Sequence, residues 1–568
     1  MRLLKPLSAT GIALFAIVGL AVPAGAHAYL ESSEPVPSSV LLVSPRQVDL
    51  HFDEPVEIDF GSVEVIGPSG QRVDEGGARH PGNDTSSVVI SLPGSLPRGT
   101  YVVSWRVISA DSHPVHGAFV FSVGAATGVG KASSEVARLN KSSGSKVVGA
   151  LFWFIRFGAF VGLLLLVGTA AMVALVWPAG RGSKRVRRLL WTSWWVLFFA
   201  TALGIACQGV YAAELPLTDI LRPTLWNEVL HTRFGEVELL RLILLAAVLP
   251  VLLVFGAGRS AASRFVRWSI RVGAVAAVGL LFTPGLSGHA ATGDDITLTM
   301  ALDVVHLGAA AVWLGGLAVL VCLLLPGPRA AEPREVASVS LSTSAYMFGA
   351  VAAVVATGVV QSIGQVGSFY ALTNTVYGRT LLVKIGLVFL LVVVGALSRS
   401  IVLGARWLPW RRRRQLPTWE GSDRPKRLRR TVLAEIAIAF CVLGVTSLLV
   451  NAAPAKQAAA QPFSQSFSVL GVQVNALVSP AHVGPGNQFH FYVLGRLGQP
   501  VGIPELDASV SLASEGIGPI EIPLVLGGPG HYLDTNVDLP IAGNWQLKLT
   551  VRTSPIDEQE VFATVPVH

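Results

Sequence analysis

Asp303-Val-Val-His306-Leu-Gly-Ala-Ala-Ala-Val-Trp313-Leu-Gly315-Gly316 lies inside an apolar run from Asp294 to Leu325, and that run decides what kind of protein this is. A stretch of about twenty apolar residues is long enough to cross the hydrocarbon of a bilayer as a helix. An aspartate and a histidine inside such a helix are costly and usually mark function. Asp303, His306, Ala310 and Trp313 recur at helical spacing and share one face. Gly315 and Gly316 allow a neighbouring helix to come close. The plainer alternative is that Asp303 and His306 pair across helices for packing.

Seven further apolar spans flank this one, at residues 147–177, 189–212, 239–256, 265–286, 338–363, 380–403 and 431–450, so eight membrane helices are expected. Their loops alternate in charge. Residues 178–190 carry five Lys/Arg and 405–431 carry ten, whereas 285–296 carry none and two aspartates, and 365–378 carry none. Basic loops stay in the cytoplasm, so an even number of spans leaves both terminal domains outside. The composition agrees, because 51% of the 568 residues are apolar and only 14% are charged. The formal charge of +8 crowds short segments beside the spans. That placement argues for a lipid bilayer as partner and against nucleic acid. Cys207, Cys322 and Cys441 all lie in apolar runs, so no exported disulfide framework is written here.

Residues 1–26 read as a secretory signal, with Arg2 and Lys5, an apolar stretch from Gly11 to Val22, and Ala24-Gly25-Ala26. Cleavage after Ala26 makes His27 the first residue, and its α-amine and imidazole can close one chelate ring on a metal. Asp111-Ser112-His113 adds a carboxylate and a second imidazole. This nitrogen- and oxygen-rich set suits tetragonal Cu(II). Asp111 and His113 are two apart, so on an extended strand they face one side. His116, placed on a turn, is a further candidate ligand. His51 reads as a surface strand residue and His80 as a solvated loop residue.

Between these points the chain alternates apolar and polar residues at 47–52, 62–66, 87–92, 100–108 and 117–123, which predicts a small sandwich or barrel. Residues 125–146 are rich in Gly, Ser and Ala and read as a linker. Beyond the spans, residues 467–478, 488–494, 508–512, 520–526 and 545–551 predict a second β-sandwich over 461–568. His482, His490 and His531 there lack a metal-ligand spacing.

His27-Ala-Tyr-Leu-Glu-Ser-Ser-Glu-Pro, Val48-Asp-Leu-His-Phe-Asp-Glu-Pro-Val-Glu and Trp105-Arg-Val-Ile-Ser-Ala-Asp-Ser-His-Pro-Val-His-Gly together resemble a CopC copper-binding domain. The resemblance implies a Greek-key β-barrel over residues 27–124 holding Cu(II) by the His27 amine and imidazole, Asp111 and His113, with Glu54 beside the amine. Some CopC domains add a Met-rich Cu(I) site, but no methionine lies between His27 and Lys146. The fifth span, with Thr232-Arg-Phe-Gly-Glu-Val-Glu-Leu-Leu-Arg and Tyr377-Gly-Arg-Thr-Leu-Leu-Val-Lys, is similar to the CopD family of copper-resistance and copper-uptake membrane proteins. In Gly288-His-Ala-Ala-Thr-Gly-Asp, His289 would sit near the outer mouth, with His306 about 15 Å deeper at 1.5 Å per residue.

The expected protein is therefore multi-domain: an exported all-β Cu(II)-binding domain, an eight-helix membrane domain over 147–452, and an extracytoplasmic β-sandwich. It would sit in the bacterial plasma membrane and pass copper inward by His289 and His306, with Asp303 orienting the His306 ring. Copper would be Cu(II) outside, with Cu(I) a candidate within the bundle, where Met172, Met300, Cys207 and Cys322 are scattered sulfurs. Arg156, Lys384 and Glu435 are expected to balance one another or to snorkel. An extracytoplasmic copper chaperone is a candidate partner. No P-loop or nucleophile–base motif is present in the sequence, so a non-enzyme is expected. Two rivals are sequestration of copper without transport and a membrane haem or copper redox protein.

Overall fold

The computed structural model describes residues 28, 30–35, 37, 39–110, 112–124, 146–254, 264–288, 296–324, 332–403, 423–452, 454–456, 463–479, 481, 483–495, 501–528 and 530–567. The expected signal at 1–26, the candidate ligands His27, Asp111 and His289, and His482 lie outside the described residues, as do linker residues 125–145.

The N-terminal domain pairs two four-stranded sheets. One is ordered β1 (Leu30–Glu34), β3 (Gln47–Phe52), β6 (Ser87–Ser91), β5 (Glu75–Arg79). The other is ordered β2 (Val40–Leu41), β8 (Pro114–Val123), β7 (Gly99–Ser109), β4 (Val56–Ile66). Strand β3 shows why: Val48, Leu50 and Phe52 are buried while Gln47 and His51 face out, the period-two pattern of a half-buried strand. Phe52 meets the edge of Trp105 across the core at 5.2 Å. Each such fully buried large side chain contributes roughly 1.5–3 kcal/mol. Gly117 is forced by this packing, since a Cβ there would stand 2.4 Å from the Trp105 ring.

Among the described residues, eight helices are long and apolar enough to cross a membrane. They are α1 (Lys146–Leu175), α2 (Lys184–Ala212), α4 (Arg233–Val254), α5 (Arg264–Leu286), α6 (Ile296–Leu324), α7 (Pro333–Val366), α9 (Val376–Leu403) and α10 (Arg424–Leu449). Two short helices, α3 (Pro223–His231) and α8 (Phe369–Asn374), lie in the connections. Ile243, Val275, Ile363 and Phe389 are exposed on the bundle's outer surface, as suits helices bathed in lipid. Several helices start earlier than their apolar runs, because basic residues still hold helical geometry: α2 from Lys184 and α10 from Arg424. Helices α1 and α6 touch backbone to backbone, for a Cβ on Gly168 would meet the Ala311 carbonyl at 1.8 Å, and Gly315 also lies against Gly168.

The C-terminal domain also pairs two sheets. One is ordered β14 (Val525–Gly528), β15 (His531–Leu539), β11 (Gly484–Leu494), β10 (Val472–Ser479), β9 (Phe463–Val469). The other is ordered β13 (Ile517–Ile522), β12 (Glu505–Leu512), β16 (Gly543–Arg552), β17 (Glu558–Val567). The single strand expected at 467–478 is two strands of a hairpin. Leu470 and Gly471 turn the chain at φ 47° and 79°, the left-handed pair of a two-residue hairpin turn. The segment expected at 520–526 is likewise split between β13 and β14.

The start of α1 and the end of α10 meet at one end of the bundle. The Trp153 indole donates to the Gly444 carbonyl at 3.0 Å, and Arg156 donates to the Val450 carbonyl at 3.3 Å and to Asn451 Oδ1 at 2.5 Å. Both β-domains therefore attach at the same end.

Candidate functional site

Ser112 and His113 belong to the tip between β7 and β8, not to an extended strand. The hairpin pairs Ile108 with Pro114, and the Ser109 amide donates to the His113 carbonyl at 2.9 Å. Ser112 sits at φ 73°, so the chain turns sharply just before His113. A tight turn rather than a strand thus presents His113, and Asp111 lies outside the described residues.

This tip is driven into the end of the bundle. His113 is only 4% exposed, and Ile108 packs with Val148, Phe152, Ile155, Val210 and Leu225 of the membrane domain. Gln208 on α2 donates to the Ser112 carbonyl at 3.0 Å, and Arg106 donates to the Ala213 carbonyl at 3.1 Å. The Glu57 carboxylate accepts from the Arg233 amide at 2.8 Å, so a side chain of the β-domain caps the first turn of α4 where the helix dipole favours negative charge. Beneath the tip, Arg156 Nη1 stands 3.4 Å from His113 Nε2, and the Tyr211 ring meets the His113 ring edge-on at 6.1 Å. The guanidinium also lies 4.7 Å over the Phe152 ring.

The remaining outer candidates divide. Glu54 is 8% exposed, in the turn between β3 and β4. Ala28, the residue after His27, is buried in the sandwich core. His116 lies on β8 rather than on a turn; it is exposed and faces Glu214 Oε1 at 3.9 Å. His51 and His80 both bond Ser87, through its hydroxyl and its carbonyl respectively, each at 2.8 Å.

In the bundle, His306 sits between α6 and α7. Its Nδ1 lies 2.9 Å from Thr357 Oγ1, and a Cβ on Gly358 would stand 3.4 Å from the ring. The Thr357 hydroxyl has one proton, which it donates to the Ala353 carbonyl at 2.7 Å. Its oxygen therefore accepts from His306 Nδ1–H, and this pattern leaves Nε2 with the lone pair, the tautomer of a metal-ligating imidazole. The orienting partner is Thr357, where Asp303 was expected. Asp303 instead hydrogen-bonds Gln361 and faces Lys384, and its Oδ2 and Met300 Sδ fill the space that a Cβ on Gly285 would need.

A buried polar run lies between these two places, and most of it was not anticipated. Glu238 and Arg241 on α4 are 4% and 6% exposed and pair at 2.5 Å, and Arg241 Nε donates to Thr283 on α5 at 2.8 Å. Arg156 acts electrostatically on Glu238 from above, while Thr283 is two residues from Gly285, against which Asp303 packs. Glu238 was missed because an apolar-run reading starts the span at Leu239. The i, i+3 spacing of Glu238 and Arg241 was the available signal. Arg156, Lys384 and Glu435 do not balance one another as expected. Arg156 faces His113, Lys384 faces Asp303 and His306, and Glu435 accepts from Ser398. Met172, Cys207 and Cys322 are buried among apolar core residues.

The C-terminal domain brings His490 and His531 together although they are far apart in sequence, with His490 Nδ1 and His531 Nε2 at 3.0 Å. Burial and the neighbouring His490 push His531 down to about 4, and burial lowers His490. Among the described residues, no group of three or more His, Cys, Asp or Glu is assembled.

Residues 30–124 match the CopC domain, residues 147–299 the copper resistance protein D-like N-terminal domain, and residues 341–449 copper resistance protein D. Copper resistance protein C of Escherichia coli is 34% identical over 113 residues, which is 19% of this chain and 89% of that protein.

The chain belongs to the CopC–CopD family.

Copper transport protein CutJ of Bacillus subtilis (strain 168) is 28% identical over 567 residues, covering 97% of this chain and 98% of that protein. Inner membrane protein YebZ of Escherichia coli (strain K12) is 29% identical over 278 residues, covering 46% of this chain and 91% of that protein. This CopC–CopD chain is a multi-pass membrane protein of a copper transport and resistance family, with the CopC domain docked on the CopD bundle through its candidate ligand loop.

Proposed function

We propose that the chain imports copper across the bacterial plasma membrane, both β-domains lying outside. The His27 amine and imidazole, Asp111 and His113 capture Cu(II), and the copper then passes into the bundle toward His306. The observation that carries this reading is the burial of His113 against the bundle. A domain that only stored copper would gain nothing from turning its ligand loop into the membrane domain. Arginine stays protonated and can only donate, so Arg156 and a metal ion compete for the lone pair on His113 Nε2. The guanidinium thus favours release once the loop is seated. Below it, Glu238, Arg241, Thr283, Asp303 and Thr357 supply polar groups that a bare hydrocarbon interior lacks, and His306 Nε2 offers a nitrogen ligand.

The protein acts as a carrier and not an enzyme. A haem would need a second imidazole facing His306, whose partners among the described residues are Thr357, Val354, Gly358 and Lys384. Radiocopper accumulation tests the reading in cells with and without the chain. Wild type is expected to raise cellular copper, while His113→Ala and His306→Ala abolish the rise at matched membrane levels. Copper bound by the protein with no change in cellular content would establish sequestration instead. Capture has its own test. One extra residue ahead of His27 lengthens the amine chelate and should weaken Cu(II) binding strongly, and equal affinities would remove the amine from the ligand set.

A further inference from the structure

The C-terminal sandwich holds a histidine pair that the transport route does not use. His490 on β11 and His531 on β15 stand on the outer face of the five-stranded sheet, because Phe489, Phe491 and Val493 take the alternate positions that face the core. His490 Nδ1 and His531 Nε2 are 3.0 Å apart, the ring planes differ by 13° and the ring centres are 5.3 Å apart. That centre-to-centre distance is the nitrogen contact plus one ring radius at each end. The rings therefore lie edge to edge in nearly one plane, nitrogens aimed at each other, with one proton shared between them.

The two outer nitrogens complete the arrangement. Gln488 Oε1 lies 3.3 Å from His490 Nε2, and a carbonyl oxygen there accepts a ring proton. Among the described residues His531 Nδ1 has no hydrogen-bond partner, although its side chain is only 5% exposed. Buried polar atoms in native proteins are rarely left so. Tyr492 stacks on the His531 ring at 4.6 Å and holds its plane.

We propose that His490 and His531 form a second copper site, in which one Cu(I) ion takes the place of the shared proton. The inference rests on copper being the cargo. Metal–imidazole bonds run to about 2.0 Å, so an ion in line between the nitrogens needs them about 4 Å apart, or about 0.5 Å of movement by each ring. The proton does not leave the protein. Because His490 Nε2 already donates to Gln488, the shared proton is the one on His531 Nε2, and it passes to His531 Nδ1. The N–H···N bond breaks, two Cu–N bonds form, each ring stays neutral with one N–H, and no electron is transferred. Two neutral ligands in a buried place favour the singly charged ion, because a buried charge costs more the larger it is.

The test is an oxygen-free titration of the purified full chain in detergent with Cu(I), against a chromophoric chelator. The wild-type chain should hold one more Cu(I) than His490→Asn or His531→Asn. Gln488→Ala should keep the site but weaken it about tenfold, the usual cost of losing an orienting partner. Equal stoichiometry in wild type and histidine variants of matched thermal unfolding would overturn the site. Should the histidine variants fail to fold, unchanged Cu(I) affinity in Gln488→Ala would overturn it instead. A wild-type chain that binds this extra Cu(I) yet gives no radiocopper uptake would strike the transport reading and leave the second site standing.

Discussion

Arg156 Nη1 lies 3.4 Å from His113 Nε2, so a fixed positive charge on the first membrane helix sits against the imidazole expected to hold copper. The contact joins the capturing domain to the bundle and sets a cation where a cation must pass. Arg156→Gln keeps a polar side chain but removes the charge. The variant should bind Cu(II) about tenfold more tightly, equivalent to about 1.4 kcal/mol, and should release it to the bundle more slowly. Competition titration of the full chain and radiocopper uptake, read together, check both halves; an unchanged affinity would show that the guanidinium serves docking alone.

Docking of the β-domain depends on a few polar contacts. Glu57→Ala uncaps the Arg233 amide and Gln208→Ala frees the Ser112 carbonyl, each costing about 1 kcal/mol. Hydrogen exchange at the start of α4 should speed up in Glu57→Ala. Cross-linking between the β7–β8 tip and α2 should fall in both variants and fall furthest in the double variant. Cu(II) affinity of the full chain should rise in both variants, because a loosened tip carries His113 away from Arg156.

Thr357→Val preserves shape and removes the acceptor for His306 Nδ1–H. The ring then loses its fixed tautomer, and uptake should drop by about 10- to 100-fold, the range for losing a partner that orients a metal-binding histidine. Thr357→Ser retains the hydroxyl and should retain uptake. Equal activity in the valine variant would place His306 among packing residues.

Glu238 and Arg241 form a buried ion pair, and breaking one side leaves a charge without its counterion. Glu238→Gln should destabilise the detergent-solubilised protein by about 3–5 kcal/mol, whereas replacing both with apolar residues of similar volume should recover most of that loss. Thermal unfolding of the single and double variants measures this. The double variant should remain folded but transport poorly, because the polar run is cut.

Much of this architecture was legible in residues 147–450, since a twenty-residue apolar run permits little else in a bilayer. Strand β3 was equally plain, with Val48, Leu50 and Phe52 alternating against Gln47 and His51. What stayed hidden depended on contacts distant in sequence or on unusual backbone. Leu470 takes a left-handed conformation that leucine seldom adopts, so the β9–β10 turn carried no recognisable turn residue before Gly471. His490 and His531 look isolated until the sheet sets β11 beside β15. The burial of His113 is a property of two domains together, and neither segment alone encodes it.

Gly168 against Ala311 and Gly315 is the closest helix contact described above, and it admits no added carbon. Gly168→Ala should therefore push α1 from α6 and cost at least about 1–3 kcal/mol in thermal unfolding, as overpacking does. The same contact makes a hinge pin. Arg156 is twelve residues from Gly168 along α1, about 18 Å, and His306 is nine residues from Gly315 along α6, about 13.5 Å, both toward the end that carries the β-domains. Helices pinned at that crossing can separate only as scissor blades do. Opening the blades by about five degrees carries Arg156 through about 1.6 Å, from the 18 Å arm length. The β7–β8 tip, packed on Val148, Phe152 and Ile155 of the same helix, travels with Arg156 away from α6 while the pin itself stays still.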